Sequence, residues 1–108
     1  MAKNELVPGT LEMLVLKTLT LGSLHGYAIA QHIERTSGDA LKVEQGSLYP
    51  ALHRLERHGW IAAEWGASDN NRKAKYYELT RVGRAQLAAE KDAWTKLTKA
   101  VALVLEMT

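Results

Sequence analysis

A mainly α fold with one small β-hairpin and a long terminal helix is predicted by three observations. Apolar residues recur at helical spacing in three short segments before residue 60. After Gly59 the period changes: residues 60–65 are short and apolar, ASDNNRKA has turn chemistry, and residues 75–79 alternate. From Thr80 an apolar repeat with heptad spacing runs almost to the end of the chain.

In the first helix Thr10 is the expected cap, Leu11, Leu14, Val15, Thr18 and Leu19 follow helical spacing, and Leu16 and Leu21 widen the stripe before Gly22 stops it. A stripe that wide suggests contact on two sides. The second helix starts after Gly26 and turns Tyr27, Ala30 and Ile33 inward, with Ile29 a further candidate, until Ser37 and Gly38 end it. Leu41, Lys42 and Val43 lead into the third.

The third helix lies in QGSLYPALHRLERHGW, residues 45–60. At 100° per residue, Leu48, Ala51, Leu52 and Leu55 fall within an arc of roughly 100°, which suits burial of one face. Tyr49, Pro50, His53, Arg54 and Arg57 occupy the opposite arc. Two starts fit: Ser47 as cap with Pro50 in the first turn, or a start near Glu44 with Pro50 held at some strain. Gly59 closes the helix with a left-handed turn. Cations and an aromatic hydroxyl on one open face suit a helix lying along DNA, where phosphates supply affinity and base edges supply sequence information. A merely solvated surface has the same appearance when the helix is taken alone.

The hairpin carries a basic tip, and Thr80 caps a last helix extending to about Glu106. Leu87, Trp94 and Val101 stand at heptad spacing, Leu97 and Val104 fill intermediate positions, and Glu90 interrupts the seam. Such a helix would be roughly 39 Å long, more than a domain of this size covers by itself. Part of its stripe therefore calls for a second chain. Three helices, a two-stranded wing and a partner helix describe a winged helix-turn-helix dimer, with residues 1–80 as the DNA-binding domain and residues 81–108 as the dimerisation helix, in one continuous unit.

Composition excludes more than it selects. The 108 residues fit one domain, with 46% hydrophobic and 24% charged residues and no low-complexity stretch. A net charge of +2 is compatible with a polyanionic partner without demanding one. Cysteine is absent, so no disulfide or thiolate metal site is possible. The first ten residues hold no apolar signal core, and no segment approaches a membrane span, so a cytoplasmic protein without membrane partners is expected. His25 and His32 are seven apart and His53 and His58 five apart, and neither pair has a carboxylate cluster at site-like spacing. Without a phosphate loop, activated-serine motif or paired carboxylates, no enzyme, metal or cofactor is expected.

The run GSLYPALHRLERHGWI, then Trp65, NRKAKYY and ELTRVGR, resembles the DNA-binding domain of the PadR family of bacterial transcriptional regulators. LHGYAIAQHIE in the second helix is also similar, so the resemblance extends from about Gly9 to the end. The single terminal helix is like that of the family's compact subfamily. The resemblance implies a homodimeric repressor that places two third helices in successive major grooves of a pseudo-palindromic operator, with wings on flanking backbone or minor groove. It assigns Ser47, Tyr49, Pro50, His53 and Arg54 to the groove-entering face, with Ser47 at a phosphate and Tyr49, His53 and Arg54 at bases or phosphates. Arg72, Lys73 and Lys75 crowd the wing.

Other readings stand beside these. Tyr49 also suits packing under the wing, and Arg57 and Lys42 suit either solvent or phosphate. Arg81 and Arg84 read as helix-start surface or peripheral anchors. Leu11, Leu87, Trp94, Leu97, Val101 and Val104 form the expected dimer interface. Trp94 suits interface packing or, as the resemblance implies, stacking on a small aromatic effector. Trp60 and Trp65 read as packing residues. The competing function is a winged-helix module that docks a protein through its third helix; such a face should expose apolar anchors in place of Tyr49, His53, Arg54 and Arg57.

Overall fold

The structure is a computed structural model that describes residues 4–5, 9–67 and 70–107; Ser68 and Asp69 of the predicted turn lie outside them. Strand β1 (Asn4–Glu5) is followed by α1 (Thr10–Thr18), β2 (Leu24–His25), α2 (Gly26–Thr36), β3 (Leu41–Lys42), α3 (Gln45–Arg57), β4 (Ile61–Ala67), β5 (Lys73–Leu79) and α4 (Arg81–Leu105). The predicted class holds: three helices, a wing and a long last helix.

Helix α1 is central and packs on α2, α3 and α4. Its inward side chains Leu11, Val15 and Leu16 meet Ile29, Ile33, Leu48, Leu52 and Leu55 in one cluster. Burying each such aliphatic side chain contributes about 1.5–3 kcal/mol. Thr10 does not cap α1; Gly9 precedes it at φ 90°, and its carbonyl accepts from the Met13 N–H at 3.0 Å. The helix tightens into a 3-10 turn at Leu19–Leu21. That changes the rotation per residue, and Leu21 points to solvent instead of joining the stripe.

Helix α2 is capped by His25, whose Nδ1 accepts from the Ala28 N–H at 3.2 Å. Ile29 and Ile33 set its buried face. Tyr27, expected inside, is 62% exposed, because it precedes Ile29 by two residues and lies about 200° round the helix. The turn into α3 is fixed by Glu34, whose Oε2 accepts from the Val43 N–H at 2.8 Å.

Helix α3 takes the earlier of the two possible starts, with Glu44 at its cap position and Pro50 inside. Proline has no N–H for the Gly46 carbonyl, but Gly46 is exposed and that carbonyl can turn to water. Leu48, Ala51, Leu52 and Leu55 are all buried, as the arc predicts. The helix ends in a Schellman turn: Trp60 N–H to Leu55 O at 3.1 Å, Gly59 N–H to Glu56 O at 3.0 Å, with Gly59 at φ 78°.

The wing is a three-stranded antiparallel sheet in the order β2-β5-β4. Ile61 faces Leu79 and Ala67 faces Lys73 in register, while Leu24 and His25 add the third strand opposite Tyr77 and Tyr76. Strand β1 pairs in parallel with β3. Thr80 locks the far end: its Oγ1 donates to Gly59 O at 2.7 Å and accepts from the Gly83 N–H at 3.0 Å. At Gly83 a Cβ would overlap the Trp60 carbonyl, so only glycine lets α4 start so close to the wing.

Only the first turns of α4 pack on the body, through Gly83 and Leu87, and every residue from Lys91 to Met107 is exposed. Leu11 and Leu87, expected between copies, belong to the chain's own core. No helix among the described residues is long and apolar enough to cross a membrane.

Candidate nucleic-acid interface

With its apolar arc turned onto α1, helix α3 presents Ser47, Tyr49, Pro50, His53 and Arg57 to solvent. These come from the turns that the core holds most firmly, since Leu48, Leu52 and Leu55 are almost fully buried between them. A rigid backbone is what a reading face requires. Tyr49 combines the two roles expected of it. It is 45% exposed, yet its ring lies against the start of α2, where a Cβ at Gly26 would come within 3.0 Å of both the ring and the hydroxyl.

Arg54 behaves differently from its neighbours. Its Nε donates to Glu12 Oε1 at 2.8 Å, and Nη2 stands 2.8 Å from the same oxygen. The guanidinium is thus anchored to α1, with only part of its edge turned outward.

On the wing, strand alternation places Tyr77, Lys75 and Lys73 on one face of β5, running from core to tip. Tyr77 is buried, and its hydroxyl pKa is raised by that burial first, then by the charges of Glu56 and Tyr49. Lys75 reaches back to α3, with Nζ 3.3 Å from Glu56 Oε1 and 5.8 Å from the Tyr77 ring. Lys73 and Arg72 are exposed. Trp65, directly opposite Lys75, shares this face. It is not a packing residue: the sheet has left the core at that point, the side chain is 61% exposed, and Lys73 Nζ lies 5.1 Å from its ring centroid. Trp60 stacks on His58 with ring centroids 4.3 Å apart.

The structure therefore brings Ser47, Tyr49, Pro50 and His53 onto one surface of α3 and carries Arg72, Lys73 and Lys75 on the adjoining wing, while Arg54 sits at that surface but is paired. Tyr27 and Trp65, both expected to pack, instead line an open groove between α2 and the wing together with Gln31, for which the sequence suggested no role. Their signal was helical phase and strand alternation, which put Tyr27 opposite Ile29 and Trp65 beyond the covered part of the sheet. Among the described residues no group of three or more His, Asp or Glu side chains is placed to hold a metal ion.

Comparison with known proteins gives a consistent picture. Residues 15–89 match the family described as the transcriptional regulator PadR-like family. A transcriptional regulator of Mycobacterium tuberculosis is 35% identical over 78 residues, 72% of this chain and 69% of that protein. The crystal structure of a PadR family transcriptional regulator from Eggerthella lenta superposes with a TM-score of 0.80 at 33% identity, covering 93% of this chain and 85% of that one. A transcriptional regulator from Clostridium thermocellum also gives 0.80, at 26% identity, with 92% and 95% covered.

Proposed function

Because the chain belongs to the PadR-like family of transcriptional regulators, we propose that it acts as a homodimeric repressor that binds a pseudo-palindromic operator in double-stranded DNA. The observation that carries this reading is the continuity of the exposed α3 face, with Ser47, Tyr49, Pro50 and His53, and the cationic wing bearing Arg72 and Lys73. A helix of 13 residues with its apolar side fully covered can enter a major groove, and the wing cations then meet flanking phosphates. The exposed wing cations Arg72 and Lys73 beside the hydrogen-bonding groups of Ser47, Tyr49 and His53 match a polyanionic duplex, which favours DNA over a protein partner.

Two copies fit one operator through α4. Trp94, Leu97, Val101 and Val104 are all exposed along its outer half, and pairing them would cover that stripe and set two α3 helices about a two-fold axis. Trp94, near the midpoint of α4 and at the inner end of this pairing, is the place for a planar aromatic effector, which would change the spacing of the two reading helices.

Selection of bound duplexes from a random or genomic pool tests the reading. The expected result is an enriched inverted repeat, with binding weakened on every duplex and its salt slope flattened by Arg72→Ala with Lys73→Ala. A pool that shows no enrichment, with affinity indifferent to both substitutions, overturns it.

A further inference from the structure

Two consecutive residues, Gly59 and Trp60, join the third helix to the fourth. Their N–H groups donate to Glu56 O and Leu55 O at 3.0 and 3.1 Å and close the last turn of α3. Their carbonyls are taken by the start of α4: Gly59 O accepts from the Thr80 hydroxyl at 2.7 Å, and Trp60 O accepts from the Thr80 N–H at 3.1 Å. The end of α3 and the cap of α4 are thus bonded directly, although the whole wing lies between them in sequence.

The joint is close as well as bonded. Thr80 Oγ1 also accepts from the Gly83 N–H at 3.0 Å, so one hydroxyl both caps α4 and ties it to Gly59. A Cβ at Gly83 would overlap the Trp60 carbonyl, which puts the first turn of α4 in direct contact with the turn that ends α3. One turn further on, Leu87 is buried in the core, and from Lys91 to Met107 every residue is exposed. The direction of the free half of α4 is therefore decided in its first two turns. Val104 stands about 31 Å beyond Gly83 at 1.5 Å per residue, so a tilt of about 10° at the joint would carry it roughly 5 Å.

We propose that Thr80 and Gly83 are positioning residues that set which half-site spacing the protein accepts, by fixing the angle between the reading helix α3 and the pairing helix α4 through Gly59 and Trp60. The assignment rests on the dimer and operator reading above. In a dimer paired through the outer half of α4, that angle sets the separation and relative rotation of the two α3 helices. One base pair added between half-sites moves them about 3.4 Å apart and turns one by about 35° against the other. Side chains of α3 and the wing then decide which duplex is bound, and the joint decides how far apart its halves lie. That role needs no contact with DNA.

The test measures the affinity of the full chain for its selected inverted repeat, for the same repeat with one or two base pairs added or removed between half-sites, and for a single half-site. The parent is expected to lose roughly tenfold to a hundredfold away from the preferred spacing, where both half-sites cannot be engaged at once. Thr80→Asp keeps an acceptor for the Gly83 N–H but cannot donate to Gly59 O, so the cap survives and the tie is cut. It is expected to remain folded by circular dichroism and dimeric in sedimentation. Its ratio of affinities between spacings, in which any change common to all duplexes cancels, should fall about fivefold. Thr80→Ser keeps both bonds and should keep the parent's ratio. Thr80→Ala loses both and should flatten the ratio at least as much, and it decides the matter if Thr80→Asp does not fold. An unchanged ratio in the variant that cuts the tie overturns the proposal, even if affinity for every duplex falls, because Thr80 then serves stability alone. A flattened ratio in Thr80→Ser, or a Thr80→Asp protein that sediments as a monomer, overturns it as well. A parent protein that enriches no inverted repeat, or binds repeat and half-site equally, removes the dimer and operator reading itself.

Discussion

Arg54 and Glu12 join the third helix to the first across 42 residues of sequence, with Nε and Nη2 of the arginine both 2.8 Å from one carboxylate oxygen. The two side chains are unequally placed, 42% exposed for Arg54 and 15% for Glu12. The pair is thus worth more than a surface ion pair and less than a buried one, about 1 kcal/mol of coupling. A double-mutant cycle of Arg54→Ala and Glu12→Gln, read by denaturant unfolding, is expected to return that coupling. Arg54→Ala should also lower affinity evenly across duplexes, whereas His53→Ala or Tyr49→Ala should change the preference among them. Zero coupling together with altered sequence preference in Arg54→Ala would return the arginine to the base-reading set.

Glu90 lies beside this pair. Burial first, and the negative charge of Glu12 second, raise its pKa above the ordinary 4.5, while a hydrogen bond from Gln86 opposes the shift. Its Oε2 is buried without a hydrogen-bond partner among the described residues. With the folded pKa above the unfolded one, the native state binds more protons over the interval between them. Stability therefore falls as pH rises from about 4.5 through the raised value, and the cost persists at neutral pH. Glu90→Gln should unfold at a higher temperature than the parent at pH 7, and the difference should disappear below pH 4. An equal advantage at all pH values would mean that packing, not charge, is responsible.

Helical phase and strand alternation made most of this arrangement legible in the sequence. The buried arc of α3, the Gly59 turn, the Thr80 cap and the span of α4 follow from residue spacing and local hydrogen bonding, which act over a few residues. What escaped depends on distant or unusual partners. His25 as a helix cap is a rare choice for that position. Strand β2 has two residues, too few for any period. Tyr27 looked apolar enough to bury, and only the position of Ile29 decides otherwise. At the candidate site, the exposed set on α3 was readable because amphipathicity determines it. The pairing of Arg54 with Glu12, and of Lys75 with Glu56, was not, since one sequence carries no trace of which charges meet.

The Lys75–Glu56 pair places a carboxylate beneath the basic wing, 3.3 Å from a lysine that would otherwise face phosphate. Glu56→Gln should release Lys75 and remove a repulsive charge. Affinity for any duplex should rise, and one more neutralised phosphate would steepen the logarithmic salt slope by about 0.9. Fluorescence anisotropy over a range of salt concentrations measures both. An unchanged slope would indicate that Lys75 already leaves Glu56 when DNA binds.

The outer half of α4 gives the last prediction. The helix has 25 residues, about 37 Å at 1.5 Å each, and the body covers only its start. Trp94, Leu97, Val101 and Val104 recur every three or four residues on the uncovered length, which is the spacing of a seam between helices. Because none of these side chains supports the chain's own core, Trp94→Ala with Leu97→Ala should leave the far-ultraviolet spectrum of a dilute sample essentially folded while shifting sedimentation from dimer to monomer. DNA affinity should fall with it, since each monomer then binds only one half-site, and the loss should diminish as protein concentration rises. A dimer that survives both substitutions would move the contact away from this part of α4 and would remove the ground for placing an effector beside Trp94.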